Sequence, residues 1–216
     1  MATSVKNILV GAADLFISNG SGSSRPSTSS ASLNTLFGGA TGDGAREKLS
    51  ASTAWREVGY TNNGLQITYN PTYGSVTVDQ LLDTAKLFKE SMEVMIATEM
   101  TEGTLENVLT VFGQGASTLT AETGFSTGTV NKTKTLGLAA GALGVAPTER
   151  QLIAVGQAPT TTDGDNSKTT ERVYYARRVL SVQQSQFSLA RNNPTTFPVT
   201  FRLLPSGDTE IGRAHV

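Results

Sequence analysis

Residues 55–113 form the stretch that decides the fold. They read WREVGYTNNGLQITYNPTYGSVTVDQLLD (55–83), TAKLFKE (84–90) and SMEVMIATEMTEGTLENVLTVFG (91–113). Residues 55–60 are rich in strand-forming side chains, and Asn62-Asn63-Gly64 follows them. Asn-Gly is the strongest short signal for a β-hairpin, because both residues tolerate positive φ angles. The sequence therefore predicts a hairpin turn at Asn63-Gly64.

Three runs of alternating apolar and polar residues are typical of β-strands with one wet face. The first begins at Leu65 and is expected to end at Pro71, since proline removes a donor of the strand ladder. Before the third run, Asp79–Lys89 places four apolar residues near one face of a short helix: Leu81, Leu82, Ala85 and Phe88. The polar positions of the three runs are Gln66, Thr68 and Asn70; Ser75, Thr77 and Asp79; and Ser91, Glu93 and Glu99.

A helix is predicted at the end of the same stretch. Thr104 is a suitable N-cap, Glu106 suits the positive N-terminal end of a helix, and Gly113 suits its C-terminal stop. The residues that recur at helical spacing, and so predict one apolar stripe, are Leu105, Val108, Leu109 and Phe112.

The rest of the chain adds short strands. A first strand is expected within Asn7–Ile17. In the second half we expect Phe187 and Leu189 to point inward from a strand over Gln184–Ala190. The other strand candidates are Lys132–Leu138, Arg150–Val155, Arg172–Val182 and Phe197–Leu203. Several short strands with one helix predict a single mainly β domain over residues 1–216, a β-sandwich or partial barrel with one flanking α-helix.

The segment Ser18–Ser50 is rich in Ser, Gly and Thr and has no periodicity. So long a loop within a compact domain is generally functional or disordered. Leu33, Leu36 and Phe37 interrupt it, and a purely flexible linker does not need them. We interpret the segment as an arm that orders on a partner through these three residues; the alternative is a disordered loop.

Composition excludes several classes of function. Only 38% of the 216 residues are hydrophobic and 6% aromatic, which is lean for a self-contained monomer and favours apolar burial between subunits. The net charge of −1 gives no reason to expect a basic groove for nucleic acid. With no cysteine, disulfides and thiolate chemistry are excluded. The N-terminus lacks the pattern of a secretory signal, and no run approaches the ~20 apolar residues of a membrane span.

Motifs of enzymes and metal sites are present only superficially. Residues 124–128 match G-x-S-x-G, but they sit in a Thr/Gly-rich stretch, and the single histidine is the penultimate residue, His215. Asp163-Gly164-Asp165 lacks the spacing of a calcium loop, and one histidine without cysteine cannot build a zinc site. Arg177 and Arg178 alternate across a strand and so do not form one nucleic-acid patch. We expect no catalytic residue, cofactor or metal.

The block from residue 55 to 113 resembles the tail tube (major tail) protein of long-tailed bacteriophages, especially those infecting actinobacteria. Three later runs look like the closing strands of the same family: VYYARRVL (173–180), FSLARNN (187–193) and FPVTFRLLPSG (197–207). The resemblance covers about two thirds of the chain, as the strand blocks divide it. It does not include the arm or residues 114–129.

This resemblance implies a virion protein, assembled in the host cytoplasm, that forms stacked hexameric rings. Their inner strands join into a β-barrel around a channel for DNA ejection. Implied partners are copies of itself, a tape measure protein, tail terminator and baseplate proteins, and transiting double-stranded DNA without tight binding. The implied lumen-facing residues are Gln66, Thr68, Ser75, Thr77, Asp79, Ser91, Glu93 and Glu99, and the sequence does not rank the three runs that carry them.

Two alternatives stay open. The inner tube of a contractile tail or secretion apparatus has a related ring. A sugar-binding β-sandwich that decorates a virion would need exposed aromatic platforms, and the only tryptophan is Trp55.

Overall fold

A computed structural model describes residues 12–18, 45–52, 54–115, 119–121, 134–138, 143, 147–157, 171–189, 191–192, 194–205 and 212–215. The helices are α1 (Ala45–Ser50) and α2 (Leu105–Val111). The strands are β1 (Asp14–Ser18), β2 (Trp55–Glu57), β3 (Thr61–Val76), β4 (Lys86–Met100), β5 (Leu119–Ala121), β6 (Lys134–Leu136), β7 (Arg150–Gln157), β8 (Glu171–Ser181), β9 (Phe197–Leu203) and β10 (Gly212–His215).

Eight of these strands form one antiparallel sheet, in the order β2-β1-β7-β8-β9-β4-β3 with β10 pairing with β8 beside this path, and β5 pairs with β6 in a separate two-stranded sheet. The two edge strands of the larger sheet, β2 and β3, are consecutive in sequence. Residues 58–60, which we call the crossing, therefore connect the two edges. The N–H of Val58 donates to Leu15 O (2.9 Å) on one side, and Tyr60 O accepts from the N–H of Thr101 (3.0 Å) on the other. The crossing therefore closes the sheet into a partial barrel.

The main core confirms this curvature. Ile17 of β1 and Ile96 of β4 belong to the same buried cluster, although four strand-to-strand steps separate β1 from β4 in the sheet. In a flat sheet the two strands would lie about 19 Å apart, at about 4.8 Å per step. The sheet must fold over so that both halves share one interior. The predicted mainly β fold is confirmed.

A second cluster lies on the outer face of β1 and β7. Leu49 of α1 is fully buried there against Phe16 and Trp55. Trp55 is only 7% exposed and makes an edge contact with Tyr175, with ring centroids 6.5 Å apart. Helix α1 corrects the prediction of an aperiodic loop through residue 50. Six helical residues are too few for a period to be visible in the sequence.

The predicted hairpin at Asn63-Gly64 is wrong, although the backbone reason for it is right. Asn63 and Gly64 have positive φ angles of 60° and 68°. They lie inside β3, where the register shifts between the pairs Asn62↔Glu99 and Gln66↔Ala97, and so form an irregularity within the strand. Residues 55–57 pair with β1 instead. The chain reverses only at residues 77–85, where Ala85 N–H donates to Val76 O (2.9 Å).

Two further predictions in this region are corrected. Pro71 does not end the strand: it lies inside β3 and pairs with Met92 of β4. This is tolerated because β3 is an edge strand, where a missing N–H is least costly. The expected helix over 79–89 is absent: residues 86–89 pair with residues 73–76 of β3, and this pairing overrides the helical spacing of the apolar residues.

Helix α2 has the predicted ends. Thr104 Oγ1 accepts from the N–H of Asn107 (3.3 Å), and Gly113, with φ of 64°, donates to Thr110 O (3.1 Å). The predicted apolar stripe is only partly right. Leu109 is buried, but Phe112 is 39% exposed. The buried positions of α2 are Asn107, Leu109, Thr110 and Val111.

In the second half the structure has strands β7, β8 and β9 where they were predicted, and a short β6 within the Lys132–Leu138 candidate. The strand expected over Gln184–Ala190 is wrong: residues 182–189 are irregular. Phe187 and Leu189 are 37% and 85% exposed, so neither is a buried residue of a strand. Of the first strand candidate, β1 takes residues 14–17, and residues 7–11 lie outside the described part of the chain.

Candidate assembly interface

The longest strands extend well beyond the barrel. β3 has 16 residues and β4 has 15, but β9 pairs only with Met95–Met100 of β4. Residues 69–94, which we call the ribbon, are therefore a two-stranded hairpin. Within the described part of the chain, no third strand covers either of its edges. A two-stranded hairpin is marginally stable in water by itself, so the ribbon has the geometry of an element awaiting a partner.

Large apolar side chains cover this ribbon. Tyr69, Tyr73 and Leu87 are 53%, 55% and 65% exposed, and Leu82 at its tip is fully exposed. So many exposed large apolar side chains on one element are typical of an interaction site. The exposed apolar residues of the ribbon are Tyr69, Tyr73, Val76, Val78, Leu81, Leu82, Leu87, Phe88 and Met92.

The strand register separates two faces at the base of the ribbon. Residues paired across antiparallel strands have side chains on the same side. Ile67↔Ile96 and Tyr69↔Val94 therefore continue the buried side of β4, which we call the apolar face. The other side, which we call the polar face, carries Asn62, Gln66, Thr68, Asn70, Thr72, Ser91, Glu93, Met95, Ala97 and Glu99, with Thr200 and Arg202 from β9.

The predicted lumen-facing residues divide between these surfaces. Ser75 lies on the side of β3 opposite Gln66 and Thr68, because strand side chains alternate and the extra residue of the local bulge, Glu90, belongs to β4. Thr77 and Asp79 lie in the connection at the tip. The residues that share the polar face are Gln66, Thr68, Ser91, Glu93 and Glu99. The three arm residues, Leu33, Leu36 and Phe37, lie outside the described residues.

Charges on the polar face are mixed. Arg202 Nε lies 3.4 Å from Glu93 Oε1, and Asn62 Nδ2 donates to Glu99 Oε2 (3.2 Å). Two carboxylates thus accompany one guanidinium. The arginines of β8 are not part of this face: Arg177 is 8% exposed, and Arg178 forms an ion pair with Glu149 of the same chain. The alternation predicted for Arg177 and Arg178 falls where the register of β8 against β7 shifts, between the pairs Arg150↔Val179 and Leu152↔Ala176, so it stays a prediction.

Lys89 is the cation of the apolar face. Its Nζ donates to the Tyr69 hydroxyl (2.9 Å) and lies 5.5 Å from the centre of the Tyr69 ring. The hydrogen bond to Tyr69 raises the pKa of Lys89 above its ordinary value, and this effect outweighs desolvation. On the other side of the ribbon the Phe88 ring covers Gly74, where an added Cβ would approach within 2.5 Å. The second contact holds a large ring close to the backbone.

A buried polar network holds the end of β3 and β4 that lies opposite the ribbon, where Thr61 pairs with Met100. Asn107, fully buried, donates through Nδ2 to Val58 O and to Glu102 O, each at 2.9 Å. Its Oδ1 accepts from Arg56 Nη1 (2.5 Å), and Arg56 Nη2 donates to Thr110 Oγ1 (3.1 Å). Burial lowers the pKa of Arg56, against an opposing effect of Glu106. This network ties α2 to the crossing at residues 58–60 from which β3 starts.

Arg150 fastens the far end of α2. Its guanidinium donates to Ser18 O (3.2 Å) and to Gln114 O (2.8 Å). Burial, and then repulsion from Arg56, lowers the pKa of Arg150. Arg56 binds side chains of α2, and Arg150 links β1 to the residue Gln114 beyond α2, so both arginines have a structural role.

A second exposed apolar surface lies at the opposite end of β4. Phe187 stacks against Phe112 (centroids 6.3 Å apart) and against Phe197 (4.8 Å), and Phe197 pairs with Met100, the last residue of β4. Leu189, 85% exposed, follows in the same segment. We call Phe112, Phe187 and Leu189 the aromatic patch. The failed strand prediction at 184–190 explains why the sequence did not reveal it.

Residues 124–128 and 163–165 lie outside the described part of the chain, and nothing is described of the His215 side chain. Among the described residues, no three His, Cys, Asp or Glu side chains are grouped to hold a metal ion. None of the helices described here is both long and apolar enough to span a membrane.

No family model matches the chain, and a comparison with curated proteins finds no match. Function is therefore inferred from the fold and from the surfaces described above.

Proposed function

We propose that this chain is a structural subunit that assembles with copies of itself into a tube, namely the tail tube of a long-tailed bacteriophage. The observation that carries the proposal is the ribbon, residues 69–94. It projects from a closed core, exposes large apolar residues and leaves strand edges without partners among the described residues. Natural proteins blunt or cover such edges unless another chain pairs with them.

Pairing between neighbouring subunits removes this liability. Ribbons placed side by side around an axis pair edge to edge, and closure into a barrel satisfies the N–H and C=O groups of every edge. The apolar face and the polar face at the base of the ribbon suit such a barrel. Ile67 and Tyr69 continue the subunit core, while Gln66 and Thr68 face the other way. In the proposed tube the polar face lines the channel and the apolar face packs against the subunit bodies.

The proposed tube subunit forms hexameric rings that stack, in keeping with the family it resembles. It encloses a tape measure protein during assembly and later lets double-stranded DNA pass. Tail terminator and baseplate proteins bound its two ends. Its place is the virion tail, and it performs no catalysis.

The inner tube of a contractile tail or secretion apparatus shares this subunit geometry and differs in an outer surface that binds a sheath. A sugar-binding β-sandwich receives less support. The lone tryptophan of this chain, Trp55, is 7% exposed and packs on Tyr175 inside the second cluster, so Trp55 provides no aromatic platform.

Negative-stain electron microscopy of the purified chain tests the proposal. We expect rings or hollow filaments at high protein concentration. The control is Tyr69→Ser with Tyr73→Ser, which removes two exposed ribbon rings while leaving every buried core residue unchanged, and should therefore remain folded but unassembled. Sedimentation of the wild-type chain as a globular monomer at every salt and protein concentration would contradict a tube subunit.

A further inference from the structure

We infer that the ribbon tip of one copy docks on the aromatic patch of another copy, head to tail. This contact rests on the proposed function and names the two surfaces that join successive subunits along the tube. The tip comprises residues 77–85. Leu81 is 58% exposed and Leu82 fully exposed, so the tip presents two adjacent leucines with little cover from their own chain.

The tip is an ordered element. Leu81 N–H donates to Val78 O (3.2 Å), and Ala85 N–H donates to Val76 O (2.9 Å). Thr84 N–H donates to Asp83 Oδ1 (2.7 Å). These bonds hold the two leucines in a fixed turn, which lowers the ordering cost of an interface.

A chain cannot dock its own tip on its own patch. The tip precedes the first residue of β4, and the patch packs through Phe197 beside Met100, the last residue of β4. Fifteen residues of extended strand separate the two ends by about 45 Å, at about 3.3 Å per residue. If the two surfaces meet, they belong to different copies.

Charge complementarity selects this pairing over tip-to-tip contact. Asp79 and Asp83 flank the two leucines, so two tips brought together would juxtapose four carboxylates, and like charges at an interface are unfavourable. Arg191 is exposed two residues beyond Leu189 of the patch. Within the described part of the chain, neither Asp79 nor Arg191 forms an ion pair. An acidic, leucine-centred tip therefore fits an aromatic patch that is followed by one exposed arginine, Arg191.

The geometry also explains growth. Two different surfaces at opposite ends of one subunit make a heterologous contact, and such a contact propagates as an open filament unless its rotation closes a ring. A contact that runs along the axis of β4 adds subunits in that direction, whereas edge pairing of ribbons adds them sideways.

Disulfide trapping tests the pairing, and the absence of native cysteine makes every introduced thiol specific. The variant Leu82→Cys with Leu189→Cys, assembled and then oxidised, should give a ladder of dimers, trimers and larger species on a non-reducing gel. Leu82→Cys alone and Leu189→Cys alone should remain monomeric on the same gel. Dimers from Leu82→Cys alone would overturn the inference in favour of tip-to-tip contact.

Charge reversal is an independent test of the same contact. Asp79→Arg alone and Arg191→Asp alone should each raise the protein concentration needed for assembly, by at least about tenfold. Combining the two substitutions should restore assembly at the wild-type concentration, because opposite charges then face each other again across the contact. If the double-cysteine protein assembles without a ladder, the tip-to-patch pairing is wrong and the tube proposal survives. If the wild-type chain never assembles, both fail.

Discussion

The carboxylate of Glu102 lies directly over Gly59. Its Oε1 accepts the N–H of Tyr60 (3.1 Å), and a Cβ built on Gly59 would come within 2.1 Å of Glu102 Cδ. Gly59 has a φ of +86°, a conformation that other residues rarely adopt. One residue belongs to the crossing that closes the barrel and the other to the connection between β4 and α2. Their contact therefore fixes the crossing to the chain that leaves β4.

Gly59→Ala should destabilise the fold by about 1–3 kcal/mol, because it forces a left-handed backbone on alanine and displaces the Glu102 carboxylate from Tyr60 N–H. Urea unfolding followed by circular dichroism measures the change. Gly64→Ala is the matched control. Gly64 also has positive φ, but an added Cβ meets nothing within 4 Å, so only the backbone cost of about 1 kcal/mol remains. Equal losses in the two variants would show that the Glu102 contact contributes nothing.

Asn107→Leu should cost about 2–4 kcal/mol, since it leaves Val58 O and Glu102 O without their side-chain donor and removes one acceptor of the Arg56 guanidinium. Equilibrium denaturation gives the value. Thr110→Val is the milder comparison because it removes one bond to the same guanidinium, and about 1 kcal/mol is expected. A loss for Asn107→Leu no greater than that for Thr110→Val would mean that the network does not hold α2 to the crossing.

Local signals in the sequence predicted much of the barrel. The cap at Thr104, the stop at Gly113 and the positive φ angles at Asn63 and Gly64 all follow from single-residue chemistry, and each is present. The same signals did not reveal which strands pair. The positive φ angles produce an irregularity inside β3, because β2 finds its partner in β1, a strand that lies some forty residues earlier in the sequence.

The ribbon was predicted least well. Leu81, Leu82 and Phe88 have a spacing that suits a helix, and only the pairing of β4 with β3 makes residues 86–89 a strand. Periodicity assumes that apolar residues face the chain's own core. Here they face away from it, so the pattern carries no reliable information on secondary structure. The aromatic patch was missed for the same reason: Phe187 was assigned to a buried strand face.

Tyr69→Phe should lower the pKa of Lys89, because the Tyr69 hydroxyl is the main cause of its raised value. Because the pKa of Lys89 is raised in the folded state, protonated Lys89 stabilises the fold when the pH is below 10.5, its pKa in the unfolded chain. This contribution is lost as the pH rises through the higher pKa of the folded state. Titration of the Lys89 ¹³Cε resonance measures the midpoint. Tyr60→Phe, at another exposed tyrosine, should leave it unchanged; equal midpoints in wild type and Tyr69→Phe would refute the assignment.

Replacing Leu33, Leu36 and Phe37 together by serine should abolish assembly without changing the stability of the isolated subunit. If they dock on a neighbour, each buried side chain contributes about 1.5–3 kcal/mol to the contact. Substitution is preferable to deleting residues 20–48, since that deletion would also remove the buried Ala45 of α1. Ser29→Ala, Ser30→Ala and Thr35→Ala serve as the matched control. Normal tubes from the serine variant, judged by microscopy, would show that the arm has no role in assembly.

Wild-type tubes should not retain duplex DNA at physiological salt, because the polar face matches its guanidinium, Arg202, with Glu93 and adds a further carboxylate at Glu99. Duplex DNA carries one negative charge per ~1.7 Å, and each phosphate that a cation neutralises adds salt-dependent affinity. Glu93→Gln with Glu99→Gln leaves Arg202 unpaired in every subunit, so a repeated cationic ring would face the channel. Tubes of this variant should retain a labelled duplex in a pelleting assay and release it as salt rises, whereas tubes of Glu57→Gln, changed on the β1 side of the barrel, should not. Tight binding of duplex inside wild-type tubes would show that the channel is not neutral to acidic, and a variant that binds no more than wild type would place Arg202 outside the channel.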